Sequence, residues 1–417
     1  MNKKLKGIIF SIGDVLAPKH SINNELVLEV KKLILFLRSK GIQPVILANR
    51  EVFYNGQSVE SLFRDSVGQF PWFMTLRDNL PRKPSKGAID HVLNTMNWDS
   101  TETAYVGCNE DDMRTAVNAK VLFLNALWFN SSTEYGIKFE TPKEIARFVE
   151  VFCLADHLWG FSIEDDGLEM HALGTFSTYY PEFADYSSDA RSAAKSGSGN
   201  LDFWTKYLWS RIYFSELYKE IDLITSYPGH RANYESIASS AVQEPLESFG
   251  KCFRIEYLND LIIRHTTSVK SQTARNEGKA HLINHCNQLN TICLNPAPIK
   301  NLGKGLGKPY NKFSLKGKTV LVVDDITTEG FSLEAARVYC KMAGASRVVL
   351  LAWLKTIKSP YCRISRLPQA FDPFNANHFT EVDEIKTYDY RNHVNRSTAA
   401  EITEKFNKYR SWNWDIL

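Results

Sequence analysis

The stretch Val320–Ser332, VLVVDDITTEGFS, decides the fold of the second half of this 417-residue chain. Four apolar residues run directly into two adjacent carboxylates, Asp324 and Asp325, and then into a short polar turn. Such a run predicts a central parallel strand, and open α/β sheets bind their ligands where these strands end. The turn leads into a predicted helix whose N-terminal amide groups can bind an anion. Because two carboxylates would repel a bare phosphate, we expect them to face sugar hydroxyls and a magnesium ion.

Strands and helices alternate through the rest of the chain. In the first 150 residues the predicted strands are GIIFSI, QPVILAN, TAYVG and VLFLNA, and helices with apolar spacing separate them. In the second half, the strands IDLITSYPG, TVLVVDD and RVVLLAWL alternate with helices such as YESIASSAVQEPLE and SLEAARVYCKMAGA. Strands that alternate with helices form parallel sheets covered by those helices. The sequence therefore predicts an α/β protein of two domains, each a mainly parallel sheet with flanking helices.

Length and composition suggest where these domains begin and end. A chain of 417 residues exceeds what one hydrophobic core usually serves. We predict a first domain at 1–150, a connecting or hood segment at 151–215, and a second domain at 216–417 that ends in a C-terminal tail. Residues 191–200, RSAAKSGSGN, have the composition of a linker or mobile loop. The tail carries Trp412 and Trp414, whose apolar surface predicts that it packs back on a domain.

Composition also excludes several classes of protein. The seven cysteines are odd in number and form no CxxC pair, which argues against a disulfide framework or zinc site and predicts reduced, cytoplasmic thiols. No apolar run approaches the roughly 18 residues of a membrane span, so no membrane partner is expected. The net charge of +3 is too small to indicate nucleic acid by itself. However, Leu261–Lys318 carries ten lysines and arginines against one acid, which suits an anionic substrate, a nucleic acid or a solvated loop.

The opening stretch resembles the phosphoribosyl pyrophosphate (PRPP) motif of type I phosphoribosyltransferases, in which an apolar run precedes Asp-Asp and a Thr-Thr-Gly turn ending in Thr or Ser. The resemblance implies that Asp324 and Asp325 hold the ribose 2′- and 3′-hydroxyls, beside a Mg²⁺ ion bound with the sugar. It implies that the substrate 5′-phosphate lies on the turn formed by Thr328, Glu329, Gly330, Phe331 and Ser332. Glu329 departs from the motif, which usually has a second Thr there. Its carboxylate either turns outward, weakens PRPP binding or changes the sugar phosphate accepted.

Two further segments resemble the ComF-like branch of that family. LITSYPGHR at 223–231 resembles the pyrophosphate loop, which implies that Arg231 contacts pyrophosphate. IIRHTTSVKSQTARNEG at 262–278 resembles the flexible catalytic loop. The resemblance implies that Lys270, Gln272 and Arg275 contact the substrate. The alternative is a solvated polar loop. The resemblance implies a PRPP-dependent, or related pentosyl, transferase that displaces pyrophosphate from C1 of the sugar. The two aspartates, Lys270 and Arg275 would be its catalytic groups.

The first domain resembles HAD-type phosphatases from residue 8 to residue 121 but lacks their catalytic groups. IIFSIGDVLAP resembles the first motif, with Ser11 at the position of the nucleophilic Asp and Gly13 at that of the acid/base. RKPSKGAIDHVL keeps the motif lysine as Lys83. YVGCNEDDMRTAVNAKV keeps Asp112 but has Cys108 in place of a metal-binding Asp. Because such phosphatases need the nucleophile, the acid/base and the metal ligands, we expect no phosphatase activity. Two roles stay open for the domain, phosphate binding through Lys83 and Asn49 or a regulatory or docking role, and we favour docking.

The combination of the two halves leaves more than one function open. A degenerate HAD-like half fused to such a transferase is similar to effectors of bacterial defence operons, including retron-associated phosphoribosyltransferases, in which a protein or nucleic-acid partner holds the enzyme inactive. Glu329 and the basic segment favour a second reading, a PRPP-sensing or nucleic-acid-binding regulator without turnover. The sequence does not identify the acceptor. His171, Tyr179 and Tyr180 are candidates that are more often packing residues, and dimers are common for the fold, so a homo-oligomer stays open.

Overall fold

Two six-stranded sheets organise the chain, and the predicted α/β class is confirmed. The computed structural model describes residues 3–19, 22–155, 159–232, 240–269, 274, 276–300, 307–310 and 313–414. Among these residues, no helix combines the length and the apolar character that crossing a membrane requires.

The first sheet is built from the first 139 residues. Its strands, together with a short hairpin (β3 and β4), are β1 (Gly7–Phe10), β2 (Gln43–Ala48), β3 (Phe53–Tyr54), β4 (Gln57–Ser58), β5 (Trp72–Met74), β6 (Thr103–Gly107), β7 (Leu122–Ala126) and β8 (Ile137–Phe139). The helices are α1 (Asn24–Ser39), α2 (Val59–Val67), α3 (Lys86–Met96), α4 (Glu110–Ala119) and α5 (Pro142–Phe148). The strand order is β5-β2-β1-β6-β7-β8 and every neighbouring pair is parallel. The order reverses between β1 and β6, where sheets of this type bind ligands.

Local sequence explains where these helices begin. The side chain of Asn23 accepts a hydrogen bond from the Leu26 amide at 3.1 Å, which caps α1. The side chain of Asn109 accepts one from the Asp112 amide at 2.9 Å, which caps α4. An Asn at this position satisfies an amide group that the helix itself leaves without a partner. The two caps therefore fix the residue at which α1 begins and the residue at which α4 begins after β6.

The second sheet begins earlier in the chain than predicted. The strands after β8 are β9 (Phe161–Asp165), β10 (Leu168–Phe176), β11 (Leu223–Ser226), β12 (Glu256–Tyr257), β13 (Ile262–Arg264), β14 (Ile292–Leu294), β15 (Ile299–Lys300), β16 (Lys308–Pro309), β17 (Thr319–Thr327), β18 (Arg347–Thr356), β19 (Tyr361–Arg366) and β20 (Glu384–Tyr388). The sheet order is β12-β11-β17-β18-β10-β9, and all neighbours are parallel except β9 and β10. The remaining strands form two-stranded antiparallel pairs.

Helices cover this second sheet and connect it to the first. They are α6 (Pro181–Ser196), α7 (Leu201–Phe214), α8 (Ser240–Phe253), α9 (His285–Leu289), α10 (Phe331–Met342) and α11 (Arg396–Ser411). Helix α7 contacts both sheets: the Tyr213 hydroxyl donates to the Thr103 carbonyl of β6 at 2.8 Å, and the Tyr207 hydroxyl donates to the Leu173 carbonyl of β10 at 3.4 Å. One hydrophobic cluster therefore runs from the first sheet through α7 to the second.

Two sequence predictions differ from the structure in this region. The segment 151–215, predicted as a hood or connector, supplies two strands of the second sheet, the edge strand β9 and its neighbour β10, which pairs with β18. The linker predicted at 191–200 is helical up to Ser196, since small alanines there pack against the core. Helix α8 is described from Ser240 onward, and the start predicted at Tyr234 lies among residues 233–239, which are outside the described residues.

The C-terminal helix packs back on the protein as predicted. The Trp412 ring nitrogen donates to Glu150 Oε2 at 2.7 Å, and the Trp412 and Trp414 rings stand edge-on to Phe36 at 5.8 and 6.0 Å. Hydrogen bonds from Lys40, Trp412 and Lys408 hold the pKa of Glu150 at about 2 although burial opposes the shift. The residues that follow helix α11 therefore pack against α1 and the segment after α5.

Candidate functional site

A cavity of about 460 Å³ opens at the carboxyl ends of β11 and β17, where the strand order of the second sheet reverses. Its walls combine the end of β17, the loop that follows β11, and the segment that follows β13. Ligands of open α/β sheets bind at such a reversal, because the loops on its two sides diverge and leave a crevice. The cavity is therefore the candidate functional site of the second half.

Asp324 and Asp325 lie on the wall formed by the end of β17. The Asp325 amide donates to Asp324 Oδ1 at 2.9 Å, and the Ile326 amide donates to Asp325 Oδ1 at 2.6 Å, so the backbone fixes both carboxylates. Burial raises the pKa of Asp324 well above its usual range, the charge of Asp325 adds to the rise, and Arg264 opposes it. The pair favours a ligand that brings hydrogen-bond donors or a cation.

The turn after β17 forms the N-terminus of α10. The Thr328 hydroxyl is 3.1 Å from the Thr356 hydroxyl, and the Cys362 amide donates to the Glu329 carbonyl at 2.9 Å, so two neighbouring strands hold the turn. Ser332 lies on the cavity wall. The Phe331 ring stands against the ring of His285 at 4.7 Å, away from the sheet. The first amide groups of α10 have no partner within the helix and can bind an anion.

Gly330 allows this turn to form. Its backbone is left-handed, with φ 83° and ψ 5°, and a Cβ there would overlap the ring of buried Tyr361. Gly330→Ala is expected to lower the free energy of unfolding by about 1 kcal/mol for the left-handed backbone and by about 1–3 kcal/mol more for overpacking. Gly197→Ala is the matched control, because Gly197 has φ 66° but open space where the Cβ would lie. Chemical denaturation measures both losses, and equal losses would contradict the role given to Tyr361.

Arg264 supports the opposite wall, the loop after β11. This side chain is 4% exposed. Its Nε donates to the Gly229 carbonyl at 2.6 Å, and its Nη2 donates to Gln288 Oε1 at 3.1 Å. The Tyr227 hydroxyl donates to the same Gln288 oxygen at 2.8 Å, and the guanidinium lies 5.4 Å from the Tyr227 ring. Because these partners are uncharged, the guanidinium keeps its positive charge available to the cavity.

The structure brings some of the predicted residues together and not others. Asp324, Asp325 and Ser332 lie on one cavity, while Thr328, Glu329, Gly330 and Phe331 form the turn next to it. Arg231 is exposed at the end of the loop after β11. Lys270, Gln272 and Arg275 lie outside the described residues, so their predicted contacts stay predictions.

Two cationic residues on the cavity were not singled out from the sequence. Arg264 ends β13, and Lys195 is in the last turn of α6. Arg264 could have been noticed because it begins the segment that resembles the catalytic loop, whereas Lys195 had no signal of its own. Among the acceptor candidates, Tyr179 is 86% exposed beside the carboxyl end of β10. His171 is buried, and its ring stacks on Trp159 at 4.8 Å, so it is a packing residue as expected.

The reversal point of the first sheet holds a closed polar network. Lys83 Nζ is 2.7 Å from Asp112 Oδ1, 3.0 Å from the Ser11 hydroxyl and 3.1 Å from the Tyr105 hydroxyl. Asp112 also accepts a hydrogen bond from the Cys108 amide at 3.2 Å. Burial, followed by the charge of Asp112, raises the pKa of the Cys108 thiol to about 12, so this cysteine is uncharged at neutral pH. Each group that could meet a phosphate is already paired with another side chain.

Lys19 fills the space that Gly13 leaves open. A Cβ on Gly13 would overlap the Lys19 side chain, whose ammonium is 3.1 Å from Asp14 Oδ2. Ser11 is only 5% exposed. Any side chain at position 13 would therefore have to displace Lys19. Among the described residues, no cluster of three or more His, Cys, Asp or Glu side chains could hold a metal ion.

Comparisons with known proteins give a distant likeness of fold. No protein-family model and no curated protein matches the sequence. Among solved structures, a HAD-superfamily hydrolase of subfamily IA from Geobacter sulfurreducens is 15% identical, with 34% of this chain and 97% of that chain covered and a TM-score of 0.25. The cobalt-bound deoxy-D-mannose-octulosonate 8-phosphate phosphatase from Haemophilus influenzae is 18% identical, with 30% and 69% covered and a TM-score of 0.23.

An uncharacterised protein from Listeria monocytogenes is also similar, at 18% identity, with 35% of this chain and 98% of that chain covered and a TM-score of 0.28. Identities and TM-scores this low say nothing about chemistry in this chain. The side chains at the two reversal points therefore have to carry any functional conclusion.

Proposed function

We propose that the second half of the chain is a PRPP-dependent, or related pentosyl, transferase that displaces pyrophosphate from C1 of the sugar. The observation that carries the proposal is the shared cavity: two adjacent carboxylates, a helix N-terminus and a buried arginine meet at one reversal point. A pentose that carries a phosphate at C5 and a pyrophosphate at C1 needs these three kinds of contact at once. The resemblance of the sequence at Val320–Ser332 to the PRPP motif supports the same assignment.

Each group would have a separate task in the reaction. Asp324 and Asp325 would accept hydrogen bonds from the ribose hydroxyls and fix the sugar. The amide groups at the start of α10 and the Ser332 hydroxyl would bind the 5′-phosphate. Arg264, through its charge and its hold on Gly229, would stabilise the negative charge that develops on the leaving pyrophosphate.

Magnesium fits the donors available at this cavity. Mg²⁺ prefers oxygen ligands and is commonly held by one or two carboxylates together with substrate phosphates. Asp324 and Asp325 are such carboxylates, and they would hold the ion together with PRPP. When bound, the ion would neutralise part of the pyrophosphate charge.

The first half would be non-catalytic in this scheme. Ser11 has no general base among its contacts, and Lys83 is engaged by Asp112 and Tyr105. A regulatory or docking role, including one in a bacterial defence system with a protein or nucleic-acid partner, is an extension of the proposal that rests on domain architecture alone.

A second candidate function is a PRPP sensor or nucleic-acid-binding regulator without turnover. Glu329 favours it, because a carboxylate in the phosphate turn would oppose the charge that accumulates during catalysis. The two candidates differ in one observable: a sensor binds PRPP and leaves it intact, whereas a transferase releases pyrophosphate.

The deciding experiment measures pyrophosphate release from PRPP and Mg²⁺ with nucleobases, nucleotides and NAD as acceptors. We expect release by the wild-type protein with at least one acceptor, and none by the Asp324→Asn/Asp325→Asn variant. Release of phosphate from p-nitrophenyl phosphate, assayed in parallel, should be absent because the first domain lacks a nucleophilic Asp. Calorimetric binding of PRPP without pyrophosphate release under any condition would favour the sensor.

A further inference from the structure

A buried lysine, Lys355, lies on the strand that pairs with the chain just before the turn Thr328–Ser332. Lys355 is the next-to-last residue of strand β18 and is 0% exposed. Its ammonium donates to the Ser359 carbonyl at 2.6 Å and to the Thr356 carbonyl at 3.2 Å, and it lies 5.4 Å from the Phe161 ring. These partners are uncharged, so the lysine has no acid in direct contact that would justify placing its charge in the interior.

The turn that would bind the 5′-phosphate is attached to this lysine's own strand. Lys355 is paired with Thr327 in the β17–β18 register, and Thr327 is the residue immediately before Thr328. The next residue of β18, Thr356, is the one whose hydroxyl contacts Thr328 at 3.1 Å. A charge at Lys355 therefore acts on the turn over a short distance and through protein rather than through water, where it is screened least.

Glu329 is the acid that acts on this lysine. Burial is the largest effect and lowers the pKa of Lys355 to about 7. The charges of Cys362 and then Glu329 oppose this shift and raise the pKa. Burial also raises the pKa of Cys362, so the thiol is uncharged at neutral pH. The ring of Tyr390 is 5.6 Å away on the remaining side. Among the described residues, Glu329 is thus the acid whose charge acts on Lys355, and the hydrogen bond from the Cys362 amide to its carbonyl keeps its backbone beside β19.

We propose that Lys355 is a positioning cation that offsets Glu329 and allows the turn to bind a sugar phosphate, with proton uptake by Lys355 on binding. The inference rests on the proposed function, since it concerns the phosphate of the same substrate. It would account for the departure from the PRPP motif, because a cation behind position 329 offsets a carboxylate that would otherwise repel the phosphate.

The sign of the pH effect follows from the charge. A phosphate bound on the turn favours the ammonium form of Lys355, so binding raises the pKa of this lysine. Because the free protein is only partly protonated near pH 7, binding takes up part of a proton between about pH 6.5 and 8.5. Affinity should therefore fall as pH rises through this range, by up to about tenfold per pH unit.

The test is calorimetric titration of PRPP with Mg²⁺ at several pH values, each in two buffers of different ionisation enthalpy. We expect more proton uptake by the wild type than by Lys355→Met, whose remaining proton exchange reports how the phosphate groups of PRPP titrate. Lys355→Met should weaken binding about tenfold, as expected for the loss of one nearby charge of about 1.4 kcal/mol. Met preserves the volume of the buried chain, and circular dichroism checks that the variant is folded.

Two further variants separate a charge effect from a packing effect. Glu329→Thr alone should tighten binding several-fold, because it removes the opposing charge. Combined with Lys355→Met it should restore most of the lost affinity, which no packing role of Lys355 would predict. Wild-type binding with the same affinity from pH 6.5 to 8.5, or a double variant as weak as Lys355→Met, would overturn the inference while leaving the transferase proposal intact. No PRPP binding by folded wild type would overturn both.

Discussion

PRPP binding is expected to be lost when Asp324 and Asp325 are both replaced by asparagine. Each carboxylate would accept a charged hydrogen bond from a ribose hydroxyl, and such bonds contribute about 1.5–3 kcal/mol. Loss of both should raise the dissociation constant at least 100-fold, since about 1.4 kcal/mol corresponds to a factor of ten. Calorimetric titration with Mg²⁺ measures the change. Asp90→Asn, on helix α3 of the first sheet, is the control and should leave the affinity unchanged.

The same double variant should be more stable than the wild type at neutral pH. Burial and the charge of Asp325 raise the pKa of Asp324 in the folded protein. A raised carboxyl pKa means that stability present below the unfolded value of about 3.9 is lost as pH rises through the folded value. Asparagine does not ionise, so the gain in free energy of unfolding over wild type should be larger at about pH 8 than at about pH 5. A variant that fails to bind and is also less stable would instead have a damaged fold.

Lys83→Met is expected to destabilise the protein by about 3–5 kcal/mol, because it leaves the buried charge of Asp112 without its partner. The ammonium and carboxylate are 2.7 Å apart, and their side chains are 8% and 1% exposed. The first domain would then owe part of its stability to the buried pair of Lys83 and Asp112. Chemical denaturation with a probe in the first sheet measures the loss.

Lys86→Met provides the matched control for this change. Lys86 and Asp90 are 2.8 Å apart, almost the same spacing, but the side chains are 60% and 37% exposed. A surface pair of this kind contributes about 0–1 kcal/mol. The double variant Lys83→Met/Asp112→Asn should recover part of the loss, because it leaves no unpaired charge. Equal effects of Lys83→Met and Lys86→Met would show that the network at the reversal point does not hold the first sheet.

Local patterns in the sequence predicted most of the secondary structure and the chain direction at the candidate site. The apolar run before Asp324 predicted β17, and the turn before Ser332 predicted the start of α10, because both depend on neighbouring residues alone. The expectation that Ser11 and Gly13 stand at the positions of two phosphatase groups rests on the resemblance of the sequence and stays a prediction. Such features need no knowledge of distant contacts.

The groups that sequence reasoning missed depend on contacts between distant segments. Arg264 supports a loop 35 residues earlier in the chain, and a periodic pattern contains no trace of that hydrogen bond. Lys355 ends an apolar strand and looks like an ordinary exposed end residue, although the rings of Phe161 and Tyr390 bury it. The place of β10 in the second sheet was missed for the same reason, since its partner strand comes much later.

The pairing of β10 with β18 also constrains how the chain can fold as it is made. Arg347 and Glu169, at the start of these strands, are bonded at 2.7 Å although 178 residues separate them. The first sheet is complete after residue 139, whereas β10 must wait for its neighbour, which takes about ten seconds or more at ordinary rates of protein synthesis. Throughout that time β10 is paired with β9 on one edge, while its other edge has no partner strand. Nascent chains stalled before residue 347 should therefore bind chaperones more strongly than released, full-length protein does.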